Sequence, residues 1–312
     1  MNLLTEISGL SQLSGPLHLA IGVFDGVHLG HQAVVRSAQV AAEESGGTAV
    51  VVTFDPHPIT VLSPKNAPRL LTSTQHQALI LKRQMGLTQL LTVRFDRDFS
   101  EQPGEAFIRD LCKAADVASI SVGKDWRFGR GRDGNVQLLE KLGAELGFRA
   151  TATELVEASG SPVSSTRIRE AIAAGDFRIA HELLGRNYTV LGTVIKGRQI
   201  GRTIGFPTAN LRVFSEQLPP TGVYAVSAVC DGETEWNGVA NLGYRPTVEG
   251  GTVKRLLEVY LFGLDSEIYD SQLEVTFIKH LRGEKKFDGL DALKSQIQTD
   301  IEAAKTLFQA KN

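Results

Sequence analysis

The sequence has few cysteines, little net charge and no long apolar run. Its 312 residues include two cysteines, Cys112 and Cys230, which are too few for a disulfide framework and suit a reducing compartment. The formal net charge of -2 supplies no basic field that would attract nucleic acid or a membrane surface. Neither a secretory signal pattern nor an apolar run long enough to span a membrane is present. We therefore expect a soluble, cytoplasmic protein that binds neither nucleic acid nor membranes.

The first part of the chain alternates between strand-like and helix-like patterns. Buried strands are indicated by runs that are apolar and β-branched, such as 48–54. The predicted strands are 17–21, 48–54, 89–95, 118–122 and 148–154, and the predicted helices between them are 32–45, 75–85, 104–115 and 136–146. This βαβ order predicts an open, doubly wound parallel sheet of the Rossmann-like kind, with ligands at the carboxyl ends of its strands.

The pattern changes near residue 185. Short β-branched runs, separated by Gly, Pro and Asp, are typical of a small antiparallel barrel or sandwich. They occupy 188–196, 223–230, 234–240, 256–262 and 273–278. Apolar residues at spacings of three and four from Leu290 to Phe308 then predict a closing helix. A chain of this length has room for two domains, and we place them at 1–184 and 185–312.

The most informative stretch is Gly22-Val-Phe-Asp-Gly-Val-His-Leu-Gly-His31, which links a predicted strand to a predicted helix. The start of a helix binds anions, because its first N–H groups are unpaired and its dipole is positive there. His28 and His31 share one face of the first turn, so both can donate hydrogen bonds to an α-phosphate. The His-x-Gly-His pattern resembles the signature of the nucleotidyltransferase superfamily, whose members join a nucleotide to a phosphate ester or an acid and release pyrophosphate.

Two further stretches follow predicted strands. In Thr53–Pro58 the prolines fix an extended loop, and a structural turn is as consistent with the pattern as a ligand contact by Asp55 or His57. In the loop 123–129, Trp126 and Phe128 can stack on a planar ring system, although core packing is the commoner role of such aromatic residues.

A second anion site is predicted where Ser164-Ser165-Thr166-Arg167 opens a helix that runs to Ala174. A helix cap needs only one of these hydroxyl groups. Three of them, with an arginine at a helix N-terminus, are suited to the β- and γ-phosphates of a nucleotide.

In the second part, the run Gly205-Phe-Pro-Thr-Ala-Asn210 is the most distinctive. Thr208 and Asn210 alternate, so both can face one side and offer oxygen ligands to Mg²⁺ held against phosphates. A second glycine-bounded loop is expected at 238–247. Glu258 lies in a strand-like run, where spacing alone favours a water-facing edge residue. The P-loop pattern G-x-x-x-x-G-K-[ST] is absent from the sequence.

Over nearly its whole length the chain resembles the bacterial bifunctional riboflavin kinase/FAD synthetase family. The stretches that carry the resemblance are 22–31, 53–58, 123–129, 164–169, 205–210 and 282–287. It implies a nucleotidyltransferase domain followed by a β-barrel kinase domain with a C-terminal helix. It also implies two reactions: ATP and riboflavin give FMN and ADP, and ATP and FMN give FAD and pyrophosphate. Mg²⁺ is the implied cofactor, ATP, riboflavin and FMN are the implied partners, and weak homo-oligomerisation stays open.

The resemblance also implies roles for individual residues. Glu258 would be the general base for the ribityl 5′-hydroxyl, and His28 and His31 would stabilise the transferred α-phosphate. Thr208 and Asn210 would hold Mg²⁺ and ATP. The implied flavin-binding residues are Asp125, Trp126, Phe128 and Arg282. The implied ATP-binding residues are Gly22, Phe24, Asp25, His28, His31, Ser164, Ser165, Thr166, Arg167, Thr208 and Asn210.

Two functions are alternatives to a riboflavin kinase/FAD synthetase. A cytidylyltransferase-like enzyme would use only the His-x-Gly-His domain, and its preference for CTP over ATP would identify it. A flavin-binding regulator without catalysis would bind flavin tightly without turnover. The run 205–210 argues against the former, and the presence of His28, His31 and Glu258 argues against the latter.

Overall fold

The computed structural model describes residues 1–197, 200–215, 217–232, 234–246 and 253–310. Contacts divide the chain into two compact units, Met1–Ser165 and a second unit that begins at Thr166. Of the helices in the described ranges, none combines the length and the apolar character that crossing a membrane requires.

The first unit is built on a six-stranded parallel sheet with the strand order β1-β4-β3-β2-β5-β6. Its strands are β1 (Asn2–Leu4), β2 (Leu17–Ile21), β3 (Thr48–Asp55), β4 (Gln89–Arg94), β5 (Val117–Gly123) and β6 (Arg149–Thr153), and a small hairpin, β7 (Glu157–Ala158) and β8 (Ser161–Pro162), follows. Its helices are α1 (Leu29–Ser45), α2 (Pro58–Leu62), α3 (Thr74–Met85), α4 (Arg97–Ser100), α5 (Gly104–Ala114) and α6 (Val136–Leu146).

Helices cover both faces of this sheet, as the doubly wound prediction requires. Alternate residues of β2 enter different cores: Leu19 packs with residues of α5 and α6, and Ala20 packs with residues of α1 and α3. All five residues of β2 are buried. The predicted parallel sheet is confirmed, and the three-residue edge strand β1 is an addition that the sequence pattern did not indicate.

The prediction of an extended loop at 53–58 is wrong in part. Asp55 is the last residue of β3, and α2 begins at Pro58. His57 caps this helix, because its Nδ1 accepts a hydrogen bond from the Ile59 N–H at 3.2 Å. A proline in the first turn of a helix costs no hydrogen bond, so Pro58 starts the helix that the extended-loop interpretation did not anticipate.

The second unit is built on a closed six-stranded antiparallel barrel, with helices before it, between its first two strands and after it. The helices α7 (Ser165–Ala174) and α8 (Phe177–Leu184) come first. The barrel has the order β10-β13-β12-β11-β14-β9, with strands β9 (Thr189–Ile195), β10 (Ala209–Val213), β11 (Gly222–Cys230), β12 (Thr234–Pro246), β13 (Val253–Leu261) and β14 (Gln272–Arg282). The helix α9 (Ile200–Thr203) precedes β10, and α10 (Leu290–Gln309) closes the chain.

The barrel prediction is confirmed, with β10 as a strand that the sequence pattern did not indicate. The loop expected at 238–247 is instead the second part of β12, as far as Pro246; Thr247 lies outside the described residues. Helix α10 packs on the barrel through Ile301 and Ala304, which contact the cluster of Ala225 and Val239.

The two compact units meet at Ser165 and Thr166, which lies before the domain boundary predicted between residues 184 and 185. Phe177, at the start of α8, packs on two aromatic residues of the barrel, with ring centroids 5.8 Å from Phe277 and 5.9 Å from Tyr224. These apolar contacts associate α8 with the barrel in the second unit.

Candidate active sites

The strand order of the first unit predicts where its ligand lies. Chain order leads from β2 to β3 on one side, and β5 pairs with β2 on the other side. In open α/β sheets, ligands bind at the carboxyl ends of the strands where the order reverses. The loops that leave β2 and β5 at this point are Gly22–His28 and Lys124–Asn135. Residues of both loops were predicted from the sequence to bind ligands.

His28 is the N-cap of α1 and His31 lies in its first turn. The Nδ1 atom of His28 accepts a hydrogen bond from the His31 N–H at 3.3 Å, so the neutral His28 ring carries its proton on Nε2. The two rings are stacked, with centroids 3.5 Å apart. A Cβ at Gly30, one of the two residues between the histidines, would lie 3.1 Å from the His28 ring, so a side chain at this position would crowd that ring.

His31 is held neutral by its surroundings. Burial lowers the pKa of His31 well below its usual value, and the neighbouring His28 lowers that pKa further. Its Nδ1 is buried and has no hydrogen-bond partner among the described residues. A buried, unsatisfied ring nitrogen costs free energy, and such a cost at a helix N-terminus is typical of a site that a ligand completes.

The loop before α1 is strained. Phe24 and Val27 have positive φ angles of 53° and 43°, which residues other than Gly, Asn and Asp rarely adopt. Phe24 is buried and packs edge-on against His31, with ring centroids 5.4 Å apart. Strain of this kind, about 1–3 kcal/mol per residue, persists where surrounding contacts enforce it and concentrates at functional sites.

Hydrogen bonds of Asp25 hold the loop before α1 in its strained conformation. Its carboxylate, 2% exposed, accepts hydrogen bonds from the N–H groups of Leu71 and Thr72, each at 3.0 Å from Oδ1. The Thr72 hydroxyl in turn accepts a hydrogen bond from the Gly26 N–H at 2.9 Å. These contacts join the loop 22–28 to residues 71–72.

Ser165, the last residue of the first unit, also contacts this loop. The Ser165 hydroxyl donates a hydrogen bond of 2.9 Å to the Asp25 carbonyl oxygen. The predicted helix at 164–174 is observed as α7, with Ser164 directly before it and Thr166 and Arg167 in its first turn. The sequence placed these residues at a helix N-terminus correctly.

The two aromatic residues after β5, Trp126 and Phe128, differ in burial. Phe128 is 8% exposed and belongs to the core beneath the sheet, and Trp126 is half-buried and stacks on it with ring centroids 4.1 Å apart. Asp125 is exposed in the turn between them and β5. The core role that the sequence left open is therefore the one that Phe128 has in the structure.

A cavity of about 460 Å³, the barrel cavity, lies on the outer face of the barrel wall beside α10, while the alternate residues Leu257 and Val259 are buried in the barrel interior. Its lining includes four residues predicted to act there, Thr208, Asn210, Glu258 and Arg282, together with residues of α10 and of the segment before it. The lining residues not predicted from the sequence include Asn241, Tyr244, Tyr260, Glu284, Phe287 and Asp300.

Asn210, Glu258 and Asn241 form one row across three neighbouring strands. Asn210 of β10 pairs with Glu258 of β13, and Glu258 pairs with Asn241 of β12. Residues that are directly opposite on antiparallel strands point to the same face, and all three line the cavity. Glu258 therefore faces the cavity, and the water-facing edge position favoured by its spacing is wrong.

Asn210 is tightly confined. It is 6% exposed, and its Oδ1 is buried without a hydrogen-bond partner in the described part of the chain. The backbone of Gly197 passes directly over it: a Cβ there would lie 2.3 Å from Asn210 Nδ2. Thr208, two residues before Asn210, is exposed at the cavity.

Comparisons with known proteins find matches to both parts of the chain. The model of the FAD synthetase family matches residues 11–167, and the model of the riboflavin kinase family matches residues 184–308. The chain is 38% identical over 311 residues to the bifunctional riboflavin kinase/FMN adenylyltransferase of Haemophilus influenzae, covering 99% of this chain and 100% of that protein. It is 39% identical over 310 residues to the protein of the same name from Escherichia coli K12, covering 99% and 98%.

The chain belongs to the family of bifunctional riboflavin kinase/FMN adenylyltransferases. The FAD synthetase match includes the His28–His31 pair and ends at Arg167. The riboflavin kinase match includes Asn210, Glu258 and the helix α10 as far as residue 308. The two kinds of transferase activity that the resemblance implies are those of the family.

A solved structure from Streptococcus pneumoniae is also similar. It is 28% identical, has a TM-score of 0.80, and covers 97% of this chain and 98% of its own; its title describes a macrolide-efflux protein. The arrangement of a parallel sheet followed by a barrel is therefore shared with a protein whose title names another activity.

Proposed function

We propose that the barrel transfers the γ-phosphoryl group of ATP to the 5′-hydroxyl of riboflavin, and that the first unit transfers AMP from ATP to FMN. The products are FMN and ADP in the former reaction, and FAD and pyrophosphate in the latter. The single observation that carries the kinase part of the proposal is the Asn210–Glu258 pair on the cavity wall, within the riboflavin kinase match. Substrates of this kind, ATP, riboflavin and FMN, fit the two family matches.

In the kinase reaction, Glu258 is the general base. Its carboxylate accepts the proton of the ribityl 5′-hydroxyl, whose oxygen attacks the γ-phosphorus while ADP leaves. Phosphoryl transfer depends mainly on the position of the reactants and on the neutralisation of charge. The rigid β13 strand supplies the position, because Glu258 is paired on both sides, with Asn210 and with Asn241.

The donor set at Asn210 fits Mg²⁺. An amide oxygen, a threonine hydroxyl and phosphate oxygens are the hard oxygen ligands that this ion binds, and the Oδ1 of Asn210 is buried with no partner among the described residues. Asn210 and Thr208 would hold the ion with the ATP phosphates. When bound, Mg²⁺ neutralises phosphate charge during the transfer. Arg282, on the same cavity, binds the flavin.

In the adenylyltransferase reaction, His28 and His31 bind the α-phosphate of ATP at the start of α1. The phosphate of FMN attacks that phosphorus, and pyrophosphate leaves. A donor aimed at the developing charge stabilises the transition state, and the positive end of the helix dipole acts in the same direction. Gly22 and Phe24 shape the loop, and Asp25 acts through it by its hydrogen bonds to residues 71–72.

The flavin of this reaction is assigned to the exposed Asp125 and to the outer face of Trp126, which covers the buried Phe128. The assignment of the outer phosphates to Ser164, Ser165, Thr166 and Arg167 stays a prediction. So do a cytoplasmic location, weak homo-oligomerisation and the lack of a nucleic-acid partner.

The test is chromatography of a reaction that contains the purified protein, riboflavin, ATP and Mg²⁺. FMN is expected first and FAD after it. FMN alone would limit the proposal to the barrel, and FAD formed only from supplied FMN would limit it to the first unit. If neither flavin reacts although riboflavin binds, the chain is a flavin-binding protein without catalysis.

A further inference from the structure

We propose that Asp300 of α10 is a positioning residue of the kinase site: it holds the Arg282 guanidinium in the orientation that binds flavin. The inference rests on the proposed function, which assigns Arg282 to flavin binding. Both residues line the barrel cavity, although Arg282 is the last residue of β14 and Asp300 lies in the middle of α10.

The two side chains form a forked ion pair. Arg282 Nε donates to Asp300 Oδ1 at 3.0 Å, and Arg282 Nη2 donates to Oδ2 at 2.8 Å. The side chain of Asp300 is 7% exposed and that of Arg282 is 22% exposed. Two parallel hydrogen bonds fix both the position and the plane of a guanidinium. A single hydrogen bond leaves the plane free to rotate.

Neighbouring groups fix the pair from both ends. Gln296 Nε2 donates to Asp300 Oδ1 at 3.0 Å, which orients the carboxylate from one turn earlier in the helix. Arg282 Nη1 donates to the Gly283 carbonyl oxygen at 3.0 Å, and the guanidinium lies 5.7 Å from the centroid of the Phe287 ring. Asp300 itself precedes Ile301, which is packed in the core between α10 and the barrel.

This arrangement leaves donors for a ligand. A guanidinium has five N–H groups, and the hydrogen bonds above use one on each of its three nitrogen atoms. Within the described ranges, one N–H on Nη1 and one on Nη2 therefore remain at the cavity. Two donors in a fixed plane recognise adjacent acceptors on a flat heterocycle, and the flavin ring system carries such carbonyl and ring-nitrogen acceptors.

The test measures riboflavin binding by the quenching of flavin fluorescence, and the kinetics of FMN formation. Loss of an oriented, charge-assisted hydrogen-bond pair is expected to raise the riboflavin Kd and KM of Asp300→Asn about 10-fold. The KM for ATP and the conversion of supplied FMN to FAD should stay unchanged. Arg282→Ala should raise the same two constants, and Asp300→Asn should add nothing in the Arg282→Ala background.

Two further variants separate positioning from general stability. Gln296→Ala keeps the ion pair and should shift the riboflavin constants in the same direction by less. Glu302→Gln is the matched control, because Glu302 accepts the same kind of hydrogen bond, from Gln298 at 3.0 Å, on the exposed side of the same helix; it should match the wild type.

The proposal is overturned if Asp300→Asn binds riboflavin like the wild type, or if its effect multiplies with that of Arg282→Ala. A fall in kcat with unchanged riboflavin constants would overturn it as well. If the wild type forms no FMN, the proposed function fails, and the binding titration still decides whether Asp300 acts on flavin through Arg282.

Discussion

Asn210 and Glu258 are direct cross-strand neighbours on β10 and β13, and both face the barrel cavity. The pairing places the Asn210 amide, whose buried oxygen has no hydrogen-bond partner among the residues that the structure describes, beside a carboxylate on a rigid wall. It combines the two requirements of phosphoryl transfer to a hydroxyl group: oxygen ligands for a metal–nucleotide complex and a base for the attacking hydroxyl.

Replacement of this carboxylate should remove the kinase activity selectively. Glu258→Gln keeps the shape of the side chain but cannot accept the proton, so kcat for FMN formation should fall about 10²–10⁴-fold. Glu235→Gln is the matched control, because Glu235 is an exposed carboxylate on the barrel strand β12. Initial rates with riboflavin and ATP measure the effect, and an active Glu258→Gln enzyme would refute the assignment of the base.

The contact between Gly197 and Asn210 predicts a steric effect. In Gly197→Ala the new methyl group would meet Asn210 Nδ2 at 2.3 Å and Oδ1 at 2.6 Å, which displaces the amide. We expect kcat/KM for ATP in FMN formation to fall about 10-fold or more, since small misplacements of positioned groups are costly. Equal rates for Gly197→Ala and the wild type would contradict the importance of Asn210.

Asp25 should affect FAD formation by holding the loop 22–28 in place. Asp25→Asn loses the acceptor for part of its contacts with Leu71 and Thr72, and we expect the first unit to be destabilised by about 1–3 kcal/mol. FAD formation from FMN should fall while FMN formation is unchanged. Thr72→Val should have a similar effect, because the Thr72 hydroxyl binds the Gly26 N–H, whereas Thr72→Ser keeps that hydroxyl and should be mild. A severe Asp25→Asn defect with a silent Thr72→Val would indicate a direct ligand contact by Asp25.

The lowered pKa of His31 predicts a pH dependence of stability. Its pKa is lower in the folded chain, so the unfolded state binds more protons between the two values. The contribution of His31 to the free energy of unfolding should therefore be constant above the ordinary histidine pKa and fall as the pH decreases below it. Each pKa unit between the folded and the unfolded value of His31 contributes about 1.4 kcal/mol to this loss of stability.

Denaturant unfolding at pH 7.5 and at pH 5.5 measures this dependence. In a Trp236→Phe background, tryptophan fluorescence reports on Trp126 in the first unit. The loss of stability at the lower pH should shrink in His31→Gln. The burial of His18 lowers its pKa as well, so some pH dependence should persist; an identical dependence with and without His31 would contradict the prediction.

The sequence predicted features whose residues lie close together in the chain. His28 and His31 share one turn, so their arrangement follows from helical spacing alone. The row of Asn210, Glu258 and Asn241 comes from three strands, and its alignment depends on barrel register, which the alternation of side chains in each strand does not fix. The role of Asp300 could not be predicted from the sequence either. In the sequence it is one of several polar residues of α10, and its role depends on the position of Arg282 at the end of β14.

Short elements and local turn chemistry account for the other differences. β1 has three residues, too few for a clear alternating pattern. The residues 56–58 contain two prolines, which indicate an extended backbone unless the second one starts a helix, as Pro58 does.

The central claim is that two separate sites carry out two consecutive reactions. The most direct measurement is chromatography of riboflavin, ATP and Mg²⁺ incubated with Glu258→Gln, with His28→Ala, and with both variants mixed. The account predicts that Glu258→Gln converts only supplied FMN to FAD, and that His28→Ala accumulates FMN with FAD formation reduced about 10²–10³-fold. The mixture should form FAD from riboflavin. Loss of both activities in His28→Ala, or a mixture that stops at FMN, would contradict it.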